Sequence, residues 1–361
     1  MKKTQILFVI SSVLANGGVP LVTMEIIDSL KEMCSFDIIV CGNEPGFYDE
    51  KFKKYGGDIF RVQVVSHQVN RFNIIKNGHS IYKMVLDICE KKHYDVIHCE
   101  NGLISGPALK AAGKKGVPIR ISHAHGTYTI AGKNIINRIY KKNCLAQIEK
   151  YATVKLACSQ KAGESLFKSE FINILNPLDV DMYQQIEKTN HKSLNILQIG
   201  YYCKLKNQLF SLNIVKELLA HNKNIHMYFI GYDDGSGYYE LMKKHIKDYN
   251  LENVVTLLPS DFEKQEIFKM IDCLVLPSTS EGLPIVTLES QAANVPCLVS
   301  DVVSKDIDMG LCYFLPIDSP AAWARVILEI NNMKDKVLNI EKLDGIKREN
   351  YMKTIKKIYD A

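Results

Sequence analysis

The sequence predicts an α/β protein built from two doubly wound domains. Three observations carry that prediction. Short apolar runs alternate with helical patterns along the whole chain, which implies parallel sheets with helices on both faces. The alternation is interrupted at Asn176-Pro177 and then restarts; a residue before proline is pushed out of helix, and proline stiffens the link. Finally, 361 residues exceed what one typical core organises. Two Rossmann-like domains facing across a cleft are the economical fold, with domains expected over 1–175 and 176–345. The tail from 336 to 359 has helical spacing, and residues 346–361 are expected to form a helix packing back on the first domain.

In the first half, strands are expected at 6–12, 36–41, 59–64, 96–99, 119–123 and 154–157. Helical patterns separate them, notably 19–30, 72–91, 104–114 and 135–151. The start has two readings. Lys2-Lys3, the apolar run 6–10 and Ala15 resemble a secretory leader, but the run is short, and a glycine loop and an amphipathic helix follow. A buried first strand is the stronger reading. In the second half the pattern gives strands at 196–201, 226–231 and 254–258, helices at 208–219, 238–249 and 321–331, and a strand–loop–helix–strand unit over 272–300.

Hydrophobic residues make up 47% of the chain and charged residues 24%, which fits an ordinary globular protein. The ten cysteines contain no C-x-x-C pair, so reduced thiols and a cytoplasmic location are expected. No apolar run approaches the roughly 20 residues that a membrane span needs. Charge is uneven. Residues 1–175 carry 24 Lys+Arg and 15 Asp+Glu, a net +9; residues 176–361 carry 21 and 25, a net −4. The basic half suits something anionic, and a lysine-rich solvated surface fits it equally. Helix 135–151 mixes Arg138, Lys141, Lys142 and Lys150 with Ile136, Tyr140, Leu145 and Ile148, which suits an ordinary surface helix or one lying on an anionic membrane. Nucleic acid is not an expected partner.

The 272–300 unit holds the most chemistry. Its strand ends at Pro277, residues 278–282 form a small polar loop, and Pro284 is expected as the first residue of a helix, where its missing N–H costs nothing. Amides around Gly282, Leu283 and Ile285 then leave a helix N-terminus, a site suited to phosphate. At about 100° per residue Ile285, Leu288 and Ala292 share the face on the sheet, and Glu289 falls about 40° from Ile285. A carboxylate there needs donors, which ligand hydroxyls could supply. Glu281 lies in the loop.

Other strand ends are polar too. Asn16-Gly17-Gly18 follows the first strand and opens a helix, but it is neither G-x-G-x-x-G nor a P-loop, which disfavours a nicotinamide or flavin enzyme. Gly200 is followed by Lys204 and Lys206, and Lys206 could neutralise a diphosphate. Glu100-Asn101 and His123-Ala124-His125 close two further strands. Two alternating histidines need a third ligand to hold a metal, and none is evident nearby. No metal and no cofactor are expected.

With these residues assembled, the chain resembles a retaining glycosyltransferase of family 4, which implies the GT-B fold. The signature is Glu-x7-Glu, here Glu281-Gly282-Leu283-Pro284-Ile285-Val286-Thr287-Leu288-Glu289. The Gly17-Gly18 loop, Lys206-Asn207, Ser159 and Asn176-Pro177-Leu178-Asp179 support it, and His123–Thr127 is similar to the His-x-His-x-Thr segment of bacterial capsule and exopolysaccharide enzymes.

The resemblance implies roles. Glu281 would contact the donor sugar, Glu289 the ribose hydroxyls, and Gly282, Leu283, Pro284, Ile285 and Thr287 the diphosphate. Lys206, with Gly200 and Lys204 on its loop, would neutralise that diphosphate, Gly17 and Gly18 would approach it from the other domain, and His125 would sit by the sugar. Glu100, Asn101 and His123 would lie on the acceptor side. The expected donor is a nucleotide-diphosphate sugar, a UDP-sugar first, and the acceptor a glycan or lipid-linked glycan. Where the family usually carries arginine after the glycine, this chain has Tyr201. A non-catalytic sugar-nucleotide-binding subunit and a nucleotide-sugar epimerase are the alternatives.

Overall fold

The computed structural model describes all residues except 1–2, 11–13, 15–16, 64–70, 101, 127–134, 222–223, 234 and 331–335, together with the backbone alone of 71–74. Contacts divide the chain into two units, Met1–Pro177 with Glu349–Ala361, and Leu178–Arg348.

The first unit holds a parallel sheet in the order β3-β2-β1-β4-β5-β6-β7. Its strands are β1 (Thr4–Ile10), β2 (Cys34–Cys41), β3 (Ile59–Val62), β4 (Val96–Cys99), β5 (Ile119–Ala124), β6 (Val154–Ala157) and β7 (Ile172–Asn173). Between them run α1 (Gly18–Leu30), α2 (Asp49–Lys53), α3 (Arg71–Lys91), α4 (Ser105–Lys114), α5 (Ile135–Tyr151) and α6 (Gln160–Leu166). The β1 run is apolar because it is covered on both faces: Ile6 through Ile10 are fully buried. It pairs with β2 on one side and β4 on the other.

The second unit holds α7 (Val180–Gln184), β8 (Leu194–Ile199), α8 (Gln208–His221), β9 (Ile225–Ile230), α9 (Tyr238–Asp248), β10 (Val255–Leu258), α10 (Lys264–Phe268), β11 (Cys273–Leu276), α11 (Ile285–Ala292), β12 (Cys297–Ser300), β13 (Cys312–Leu315), α12 (Pro320–Glu329) and α13 (Ile340–Gly345). Its parallel sheet runs β10-β9-β8-β11-β12-β13. Trp323 is fully buried in its core, edge-on to Phe210, and its indole N–H donates to Pro316 O at 2.8 Å.

The tail departs from one continuous helix. It forms α13 and then α14 (Arg348–Tyr359), broken between them because the backbone there pairs with Leu178. Leu178 N donates to Ile346 O at 2.9 Å, and Arg348 N donates to Leu178 O at 3.1 Å. Residues Glu349–Ala361 cluster with the first unit.

In both sheets the strand order reverses direction once, between β1 and β4 and between β8 and β11. Ligands of open α/β sheets bind at such switch points, beyond the carboxyl ends of the strands. Gly17, Gly18 and Glu100 follow β1 and β4; the 200–207 and 277–284 loops follow β8 and β11.

Candidate functional site

In the second unit the two loops at the switch point are tied together. Thr279 N donates to Leu205 O at 2.9 Å, and the Asn207 side-chain amide donates to Pro277 O at 3.1 Å. Asn207 takes a left-handed φ of 56° to do so. Lys206 Nζ then reaches Glu281 Oε1 at 2.6 Å, with both side chains partly open to solvent. The stem of Lys206 lies against Gly200, whose φ is 152° and where a Cβ would come within 3.0 Å of the lysine Cε. Gly200 therefore gives the lysine its path. Lys204 is exposed on the same loop.

Pro284 is corrected from first helical residue to cap of α11: its ψ is 100°, and its carbonyl accepts Thr287 N at 3.0 Å. A cap has extended ψ while its carbonyl takes the first helical bond. The first two amides of α11, of Ile285 and Val286, beside half-buried Gly282 and buried Leu283, lack intrahelical acceptors. The expected stripe also changes. Leu288 and Ala292 are buried, but Ile285 is only half-buried, while Thr287, Glu289, Ser290 and Gln291 are buried as well. The reason is that α7 packs on α11 and the 307–311 loop folds over it, with Gln291 Oε1 accepting Met309 N and Leu311 N. Thr287 is drawn inward; its hydroxyl donates to Pro284 O at 2.7 Å.

Glu289 is 3% exposed. Lys264 pairs with its Oε1, while Oε2 is buried and accepts no hydrogen bond. Burial, with the carboxylate beside it, pushes the Tyr183 phenol far up. Lys264 and Tyr183 escaped the sequence because nothing local links them to position 289. Tyr201 packs its ring on Tyr232, centroids 4.2 Å apart.

In the first unit, Gly17 caps α1 in extended conformation, and Gly18, its first residue, is exposed. Asn101 and Thr127 lie outside the described residues. The expectation that no third ligand-type group joins the histidine pair is corrected: β4 runs beside β5 and brings His98 and Glu100 against His123 and His125. His98 Nε2 stands 3.3 Å from Glu100 Oε1 and 3.2 Å from His123 Nδ1, and His123 Nδ1 stands 3.3 Å from Glu100 Oε2. His125 Nε2 pairs directly with the same Oε2. Beyond them the Tyr359 hydroxyl of α14 meets His98 Nδ1 at 2.7 Å.

Burial sets the charges here. It acts to raise the Glu100 pKa, but His125, His98 and His123 outweigh it and hold the carboxyl well below its usual range. Burial likewise acts to lower His125, and Glu100, with a bond to Cys158, overcomes it and pushes the imidazole up to about 10. The cluster is therefore one carboxylate and one imidazolium. Burial drives His98 down to about 3 and lowers His123, so both stay neutral.

Three ligand-type atoms, from His98, Glu100 and His123, meet in this core, with no fourth among the described residues. Two Asp-x-Asp triplets serve the fold. Asp179 caps α7 and Asp181 pairs with Lys347 at 3.0 Å; Asp306 is bonded to Ser304, and Asp308 accepts Gly310 N and Cys312 N.

Residues 179–309 match the model of the family described as glycosyl transferases group 1. The matched segment lies in the second unit, and the whole chain is similar in fold to solved glycosyltransferases. The chain is 26% identical over 336 residues to the putative glycosyltransferase EpsF of Bacillus subtilis, covering 86% of this chain and 84% of the relative. It is 24% identical over 305 residues to an Escherichia coli UDP-Gal:α-D-GlcNAc-diphosphoundecaprenol α-1,3-galactosyltransferase, covering 78% and 76%. Among solved structures, Anabaena HepE with UDP and glucose superposes with a TM-score of 0.77 at 13% identity, over 99% of this chain and 100% of that one.

Proposed function

We propose that the chain is a retaining family 4 glycosyltransferase that moves a hexose or N-acetylhexosamine from a UDP-sugar to a glycan or lipid-linked acceptor in surface polysaccharide synthesis. It would work in the cytoplasm at the inner face of the membrane, in capsule or exopolysaccharide assembly. The observation that carries the reading is the Lys206–Glu281 pair beside the N-terminus of α11, at the switch point of the second sheet. The names of the relatives agree in kind: one uses UDP-Gal and a diphosphoundecaprenol acceptor, and HepE was crystallised with UDP and glucose.

In this mechanism Lys206 and the α11 amides meet the diphosphate, whose negative charge grows as the glycosidic bond breaks. Glu281 turns to the sugar hydroxyls, and the unbonded Oε2 of Glu289 takes a ribose hydroxyl. The acceptor attacks from the face the leaving phosphate departs from, and that phosphate takes its proton, which retains the anomeric configuration. In the first unit Glu100 holds His125 charged, and we assign that imidazolium a role in turnover. Because fixed protein charges do this work, a chelator is expected to leave turnover unchanged.

Glu281→Ala tests the assignment: transfer from UDP-sugars should vanish while the thermal melt stays that of the wild type. Full turnover by this variant would overturn it. Tyr201, a phenol where the family carries a guanidinium, favours one rival, a sugar-nucleotide-binding subunit without turnover. UDP binding without transfer or donor hydrolysis across an acceptor panel would establish that rival.

A further inference from the structure

The outward face of α5 does not match its inward one in the usual way. Inside, α5 buries Asn137, Cys144 and Ile148, and its distance from α4 is set by Gly106, where a Cβ would fall 2.6 Å from Cys144 O. Outside, at about 100° per residue, Ile135, Arg138, Ile139 and Lys142 fall within an arc of about 100° on the opposite side. All four are exposed, Ile135 by 69% and Ile139 by 63%. A surface helix with one partner carries polar residues there; this helix is apolar on two faces.

A neighbouring helix extends the patch. Near the start of α3, Gly78 crosses α5 so closely that a Cβ would lie 2.1 Å from the Tyr140 hydroxyl. Within one turn of that crossing stand Ile75, 40% exposed, and Ile136, 41% exposed. Exposed Lys76 joins them. Four exposed isoleucines thus gather on two touching helices. Exposed cations stand beside them, Lys76, Arg138 and Lys142, and the stretch 101–150 carries nine Lys or Arg and a single acid, Glu149.

We propose that this face of α3 and α5 docks the protein on an anionic lipid surface. Isoleucines protruding between lysines and arginines suit the boundary of a bilayer, where aliphatic tips enter the acyl region and cationic ends stay among anionic headgroups. Neither half suffices alone. Nucleic acid would use the charges and leave the isoleucines in water, and an apolar protein partner would use the isoleucines and leave unopposed charges. The inference deepens the proposed transfer to a lipid-linked acceptor by naming the surface that holds the enzyme beside it, yet it is read without donor or acceptor.

The test is co-sedimentation of the full chain with vesicles of phosphatidylcholine, alone or mixed with phosphatidylglycerol. Wild type should bind the mixed vesicles, release them as salt rises, and ignore the neutral ones. I135S/I139S and R138E/K142E should each lose binding by about tenfold or more, with melting temperatures and donor hydrolysis as in wild type. Absence of binding by wild type, equal binding to neutral vesicles, or wild-type binding by both variants would overturn the proposal. So would a dimer that I135S/I139S abolishes while vesicles go unbound, since the partner would then be a second copy. Vesicle binding that persists in a chain shown to lack transfer would refute the transfer reading and leave the docking surface standing.

Discussion

The two switch points share an architecture and differ in how they hold charge. In the second unit Lys206 and Glu281 form a pair that is only partly open to solvent. In the first unit the carboxylate of Glu100 is sealed among three histidines and answered by one imidazolium. A partly open pair can exchange partners with a diphosphate at lower cost than a sealed one. A buried pair cannot, because either charge left alone would be unsolvated. The second site is built to exchange partners, and the first to fix one side chain, His125, in one protonation state.

Breaking the partly open pair should have the largest effect. Lys206→Met should lower kcat/KM for UDP-sugars about 10³-fold, measured by initial rates, with the melt unchanged. If activity falls less than tenfold, the lysine is not the diphosphate's counter-ion.

Changing the sealed pair comes next. Glu100→Gln removes the charge that holds His125 up, so burial should let the imidazole go neutral at pH 7. Turnover should drop about 10²-fold, UDP affinity should hold, and the alkaline limb of the pH–rate profile should move down from near pH 10. An unmoved limb would separate Glu100 from the site's chemistry.

A smaller effect tests Glu289. Glu289→Gln should weaken UDP about tenfold, and calorimetry should find a smaller loss with 2′-deoxy-UDP if a ribose hydroxyl is the partner. An equal loss with both nucleotides would remove the ribose from the account.

The smallest effect is on stability. His98, with a pKa near 3 against 6.5 in the unfolded chain, and His123, shifted the same way, refuse protons that the unfolded chain accepts. The contribution of these two histidines is therefore whole above about pH 6.5 and lost as pH falls toward 3, by at most about 1.4 kcal/mol per pH unit for each. His98→Gln should flatten that slope in denaturant titrations, and an unchanged slope would show that His98 is not the group excluded from protonation.

Much of the fold was legible because strand and helix periods are local. Strands 96–99 and 154–157 and helix 135–151 stand where the pattern put them. Short pieces such as α2, α7, α10 and β7 escaped, being too brief to show a period, and the break between α13 and α14 depends on Leu178, far away in sequence. In the second unit, position 281 could be singled out because loop chemistry and helix start are neighbours in the chain. In the first unit Glu100, His123 and His125 also stand out at strand ends, but their meeting with His98 does not, since β4 and β5 must pair first.

Tyr359 meets His98 across 261 positions of chain. The first unit is thus interrupted by the whole of the second, which is threaded into it like an insertion. A ribosome delivers β1 through β7 early, yet the hydroxyl beside His98 emerges only after Leu178–Arg348 has been made. During synthesis the second unit has every residue of its own first. The histidine core must wait, closing only when the last turn of α14 arrives, so the order of birth and the order of completion run opposite ways.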